Sequence, residues 1–151
     1  MKVEDIMTTD VISVQIGTSL IEVAKLLKEN KLHSLPIIDE KRRLIGIVTE
    51  MDFFIKDAAS SYLPQWIELM GQIKEGSAFS LKEQEKLDYV IDLRAQDIMT
   101  TEVVTVGPET YVKELMDIFK KTRFKTFPVI DRNKALVGIV SLVDVIKSIE
   151  V

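Results

Sequence analysis

Apolar positions fall into two runs of the same pattern, one before residue 58 and one after residue 94. In the first, Val11 to Val14 is a short stretch of β-branched and small residues, which predicts a strand. Leu20, Val23, Ala24 and Leu27 then recur at i, i+3, i+4 and i+7, the stripe of an amphipathic helix packed on a sheet, with Thr18 placed to cap it. Leu35-Pro36-Ile37-Ile38 predicts a strand with proline near its start, where a missing N–H is tolerated. A polar turn from Asp39 to Arg43 leads to Leu44 to Val48, apolar on both faces and so a buried strand. A second helix follows Thr49. The second run repeats each element: Val103 to Val106, the stripe Val112, Leu115, Met116 and Phe119 behind Thr110, then Phe127-Pro128-Val129-Ile130, Leu136 to Val140, and a helix after Ser141.

The two runs superimpose without a gap. Asp5-Ile6-Met7-Thr8-Thr9 returns as Asp97-Ile98-Met99-Thr100-Thr101, Pro36 as Pro128, and Gly46 as Gly138. The predicted class is α+β, with β-α-β-β-α twice in 1–57 and 95–151. A unit of about 55 residues buries too little surface to be stable alone. The repeats are therefore expected to cover each other as one compact tandem, with a pseudo-two-fold axis and a cleft between the halves. The segment 58–94 is too long for an ordinary connection. Leu63, Trp66, Ile67 and Met70 share one helical face, with Pro64 suited to a first turn. Ser80-x-x-Glu83 reads as a capping box ahead of Leu87, Val90 and Ile91. A helical hairpin is predicted, packed on the tandem or a second subunit, or serving a partner. Trp66 belongs to that packing stripe, not to a cofactor site.

Composition narrows the function. A net charge of −4 gives no overall basic footprint for nucleic acid. The absence of cysteine excludes disulfides, thiol catalysis and zinc fingers, and is compatible with a cytoplasmic location. No signal-peptide h-region or membrane span is evident. His33 is the single histidine and builds no metal cluster or catalytic pair by itself. No activated nucleophile or tuned acid–base pair stands in register, so an enzyme is not expected and no metal or cofactor is required.

The candidate chemistry lies in Gly46-x-x-Thr49-x-x-Asp52 and its twin Gly138-x-x-Ser141-x-x-Asp144. Hydroxyl-x-x-acid before a helix approximates a capping box. The same helix start, with unpaired N–H groups and a positive dipole end, suits phosphate, and a carboxylate beside it can accept from a ribose diol. The two roles are compatible. Each glycine weakens its strand unless something approaches closely, a ligand or the twin repeat, or unless the strand bulges there.

These motifs together resemble the cystathionine-β-synthase (CBS) domain family. The Asp-Ile-Met-Thr-Thr openings, the Pro-Ile-Ile-Asp and Pro-Val-Ile-Asp strands and the Gly-x-x-Thr/Ser-x-x-Asp endings carry the likeness over residues 3–57 and 95–151. Two repeats resemble a CBS pair, or Bateman module. The resemblance implies a regulatory module that binds AMP, ADP or ATP, or S-adenosylmethionine, between the repeats, forms a homodimer and signals to a regulated protein in trans. The rival reading is a structural or interaction module without a ligand. By the same likeness, Thr49 and Ser141 would contact phosphate and Asp52 and Asp144 the ribose. His33 and Lys125, three positions before the strand prolines, would offer basic phosphate contacts. Val11, Ile12 and Ser13, with Val103, Val104 and Thr105, would line the adenine pocket. The copies differ where Glu50 follows Thr49 but Leu142 follows Ser141. An acid beside a phosphate pocket repels it, so Ser141/Asp144 is expected to be the stronger site.

Overall fold

The computed structural model describes residues 1–55, 85, 88 and 91–149. The predicted hairpin, Trp66 included, lies outside them except for its last few positions. The elements are a 3₁₀ turn (Val3–Asp5), β1 (Val14–Gln15), α1 (Leu20–Glu29), β2 (Ser34–Ile38), β3 (Leu44–Thr49), α2 (Asp52–Ile55), α3 (Ala95–Ile98), α4 (Val112–Lys121), β4 (Thr126–Ile130), β5 (Leu136–Ser141) and α5 (Leu142–Ser148). Strands β1-β2-β3 form one sheet and β4-β5 another, giving an α+β fold.

The first strand of each repeat is shorter than its β-rich run suggests. In the first repeat it shrinks to Val14–Gln15. In the second it is a single parallel bridge, Val106 to Val129. Val106 N donates to Pro128 O (3.1 Å) and Ile130 N to Val106 O (3.0 Å). Pro128 has no N–H to extend the ladder.

Both predicted helical stripes form. Leu20, Val23 and Leu27 are buried on α1, and Leu115 and Phe119 on α4. Met116 stays exposed at the edge of its stripe. Neither expected cap forms: that of α1 is displaced by one residue, and α4, with Tyr111 at its N-cap, has no side-chain cap. Ser19, not Thr18, caps α1, its Oγ accepting from Glu22 N (3.2 Å). Thr18 Oγ1 donates back to Gln15 O (2.7 Å), and Thr110 Oγ1 accepts from Gly107 N (3.2 Å). Both threonines shape the turn before the helix, a local competition open to any short hydroxyl side chain.

The chain divides into two compact units whose membership crosses the repeats. One comprises Met1–Ser13, Ile38–Ile45 and Glu102–Val151, and the other Val14–Ile37 and Gly46–Thr101. In the first unit Thr8 pairs with Ile139 by two backbone hydrogen bonds of 2.9 Å. In the second unit Thr100 pairs with Ile47 in the same way (2.8 and 3.0 Å). Each Ile-Met-Thr lead-in segment thus adds its edge to the strand of the other repeat. Val3 of the first lead-in is fully buried among Val106, Leu115, Phe119, Phe127, Val129, Val140 and Val145, with Ile6 and Met7 packed against them. The rings of Phe119 and Phe127 pack at a tilt of 40° with centroids 4.7 Å apart. Burial of each such large side chain contributes roughly 1.5–3 kcal/mol.

These pairings explain the two strand glycines. A Cβ on Gly138 would stand 2.6 Å from Met7 Sδ and 3.0 Å from Thr8 O, and one on Gly46 would stand 2.6 Å from Met99 Sδ and 3.1 Å from Thr100 O. The close approach comes from the other repeat's lead-in. A bulge is present as well: Val129 pairs with Gly138 but Ile130 with Leu136, leaving Val137 as the extra residue.

The β-turns of the two repeats meet within the first unit. Leu44 N donates to Lys134 O and Leu136 N to Arg42 O, both at 2.9 Å. Asp39 holds one turn by accepting from Lys41 N, Arg43 N and Arg43 Nε. Partial burial raises its pKa, but the hydrogen bonds from Arg43 and Lys41 and the Arg43 charge prevail and keep the carboxyl below its ordinary value. Asp131 holds the twin turn through Asn133 N and Ala135 N.

Candidate functional site

Strand β5 ends where α5 begins, and Ser141 is the residue that does both. Its backbone is still extended (φ −117°, ψ 164°), the geometry an N-cap needs. Ser141 N donates to Asp144 Oδ2 (2.8 Å) and Ser141 Oγ donates to the same oxygen (2.9 Å), while Asp144 N donates to Ser141 Oγ (3.2 Å). This is a complete reciprocal capping box, so the cap predicted from spacing is real. It occupies one carboxylate oxygen. Asp144 Oδ1 accepts no hydrogen bond among the described residues, and Asp144 is only half-buried.

Lys125 sits beside this helix start. Its carbonyl accepts from Leu142 N (2.9 Å), tying the residue before β4 to the first residue of α5. The side chain is exposed and forms no ion pair among the described residues. Ile12 and Ser13 belong to the same compact unit, four and five residues beyond the Thr8 pairing to β5. Ile12 is exposed although apolar. Val104 and Thr105 fall in this unit too, just before Val106 and its bridge to β4.

The twin copy, in the other unit, has the same register with different side-chain bonding. Thr49 N donates to Asp52 Oδ2 (2.8 Å), as does Thr49 Oγ1 (3.2 Å). The other oxygen, Oδ1, accepts from Thr100 Oγ1 (3.1 Å). Asp52 is 6% exposed and so buried, unlike Asp144. His33 O accepts from Glu50 N (3.3 Å), matching Lys125 and Leu142. Glu50 also takes the side chain of His33, with Oε1 3.1 Å from Nδ1. Both side chains are largely exposed, so water screens the pair and it adds little stability. Its effect is positional: the one histidine is turned toward an acid.

Thr100 is the residue that sequence reasoning missed. Its signal was visible in the repeated Met-Thr-Thr, which served there only to mark the repeat. Two surface hollows in the first unit, one between Tyr111 and Asp117 and one between Gly107 and Asn133, contain none of the candidate ligand residues. Among the described residues no three His, Cys, Asp or Glu side chains converge as metal ligands, and no helix is long and apolar enough to cross a membrane.

The chain is similar to known proteins in sequence and fold. The CBS domain model matches residues 3–57 and 95–151. The CBS domain of a CBS domain containing membrane protein from Sphaerobacter thermophilus is 31% identical, with a TM-score of 0.71 over 97% of this chain and 86% of that one. The fold is also similar to CBSX2 of Arabidopsis thaliana, crystallised in complex with AMP, at 24% identity and a TM-score of 0.70 over 97% of this chain and 94% of that one. The CBS domain pair of protein MJ0100, crystallised with 5′-methylthioadenosine and S-adenosyl-L-methionine, gives 23% identity and a TM-score of 0.65 over 98% and 94%. With two repeats matched over most of its length and the fold of a CBS pair, the chain belongs to the CBS domain family as a tandem pair.

Proposed function

We propose that the protein is a regulatory module that binds an adenosine nucleotide, AMP, ADP or ATP, through Ser141, Asp144 and Lys125. The observation that carries this reading is Asp144 Oδ1. It is a carboxylate oxygen at a structured helix start, left open among the described residues by a cap that uses only its partner oxygen. A ribose diol supplies the two donors that such an oxygen lacks, and Lys125 supplies positive charge one hydrogen bond away along the backbone. Ile12, from the lead-in that reaches β5, offers exposed apolar surface for a base. The CBS-pair relatives crystallised with AMP and with S-adenosyl-L-methionine favour the same ligand class. Binding regulates a partner in trans by its differential affinity for two arrangements of the module. The function requires no catalytic step, metal or nucleic acid, and a cysteine-free chain suits the reducing cytoplasm.

Thermal unfolding with a panel of AMP, ADP, ATP and S-adenosylmethionine tests this, because a ligand specific for the folded state raises its stability by about 2.7 kcal/mol at a hundredfold excess over Kd. The strongest ligand identifies the class, S-adenosylmethionine leading being the outcome that replaces the nucleotide. No shift by any of them leaves a structural module.

The module also acts as a homodimer in this reading. Leu142 and Ile146 lie at i and i+4 on α5, and Ile149 follows at i+7 as its C-cap, with Ile146 and Ile149 60% and 61% exposed. A row of this kind marks an interaction surface. Ile146→Glu is expected to convert a dimer to a monomer in light scattering at unchanged helical content. A monomeric wild type, or a variant that stays dimeric, rules this face out.

A further inference from the structure

We propose that Thr100 is an internal plug, a hydroxyl of the chain itself that closes the Thr49/Asp52 copy of the site and leaves the module with one nucleotide site per chain. The proposal rests on the nucleotide reading of the Ser141/Asp144 copy. The two copies are chemically near twins: each has a hydroxyl residue, an aspartate three positions on, and a lead-in threonine bonded through its backbone to the adjacent strand, Thr8 to Ile139 and Thr100 to Ile47. Among their differences, one bears directly on the ribose-binding oxygen. Thr100 Oγ1 donates to Asp52 Oδ1 (3.1 Å), the oxygen that Asp144 keeps open. The Thr8 hydroxyl forms no hydrogen bond among the described residues.

The consequence is chemical. A ribose hydroxyl seeking Asp52 must displace a bond already made by a hydroxyl of the same donor strength, tethered by the Ile47 pairing and so at high local concentration. With Thr49 N and Oγ1 on the other oxygen, both sides of the carboxylate are engaged by the protein. At Asp144 the same ribose hydroxyl meets an oxygen with no donor to displace among the described residues. Because Thr100 holds its place by backbone bonds, shortening its side chain removes the plug without removing the strand edge.

Isothermal titration of the full chain with AMP decides the matter. The wild type is expected to show one site, weakened about 10- to 150-fold in Asp144→Asn. Thr100→Ala is expected to show two sites of wild-type strength, and Thr100→Ala combined with Asp144→Asn to show one. Thr100→Ser keeps the hydroxyl and is expected to behave as the wild type, which separates loss of the plug from loss of packing. Circular dichroism confirms that each variant is folded. Two sites in the wild type overturn the proposal, as does a folded Thr100→Ala that gains none. Absence of AMP binding by the wild type defeats the nucleotide reading of Ser141/Asp144 instead. In that event a site gained in Thr100→Ala still supports closure by Thr100, and none gained overturns it.

Discussion

Asp144→Asn is expected to weaken AMP binding by about 10- to 150-fold, whereas Asp52→Asn leaves it nearly unchanged. The magnitude follows from the loss of one charge-assisted hydrogen bond, about 1.5–3 kcal/mol. The difference between the two variants follows from what each carboxylate already does. Asp52 spends both oxygens on Thr49 and Thr100 and is buried, while Asp144 spends one on Ser141. Asparagine retains the size of the side chain and one acceptor oxygen, so it perturbs the cap less than alanine. Loss of a cap costs about 0.5–2 kcal/mol, and the melting temperature of each variant measures that part separately. Titration calorimetry on both variants provides the check. Equal losses, or a loss confined to Asp52→Asn, reverse the assignment of the site. The expectation of asymmetry from Glu50 was electrostatic. The structure adds a different cause, because Glu50 engages His33 and the occupied oxygen of Asp52 matters whatever the salt concentration.

Gly138→Ala is expected to destabilise the protein by about 1–3 kcal/mol, the usual cost of forcing an extra carbon into a packed core. For a chain of this size that is a fall in melting temperature of about 2–4 °C per kcal/mol. The new Cβ would meet Met7 Sδ at 2.6 Å and Thr8 O at 3.0 Å. The sulfur ends a flexible side chain and can swing aside. The carbonyl cannot, since Thr8 O accepts from Ile139 N and Thr8 N donates to Ile139 O. Met7→Ala is therefore expected to recover only part of the loss in a double-mutant cycle. Full recovery would place the whole clash on the sulfur, and an unchanged melting temperature for Gly138→Ala would show that the lead-in does not lie against β5. Gly46→Ala, facing Met99 and Thr100 O, is the matching experiment in the other unit.

How much of this was legible beforehand depends on the range of the interaction. The helical stripe of α1 was readable because it lies within ten residues, where side-chain direction is tied to backbone period. The Ser141–Asp144 cap was readable for the same reason, being three residues long. The first strands were overestimated because a β-rich run says nothing about whether a partner offers a ladder, and Pro128 does not. At α1 the cap moved between neighbouring hydroxyls, Thr18 and Ser19, whose local alternatives are nearly equal in energy, whereas Thr110 spent its hydroxyl on Gly107 N and left α4 without a side-chain cap.

The amino-acid sequence by itself determined the duplicated β-α-β-β-α unit and the helix caps that carry the candidate site, and it marked the two glycines as places of either close approach or a bulge. The tertiary structure alone decided what approaches them, since Met1–Ser13 joins the unit of the second repeat and Ala95–Thr101 that of the first. It alone showed that Asp52 and Asp144 differ in which carboxylate oxygens are engaged. Thr8 and Thr100 stand in identical sequence surroundings, Ile-Met-Thr-Thr, and only one places its hydroxyl on a carboxylate. The physical reason is that local pattern sets the direction of a side chain, whereas the atom it meets, 48 residues away for Thr100 and Asp52, is set by how the folded chain brings distant segments together.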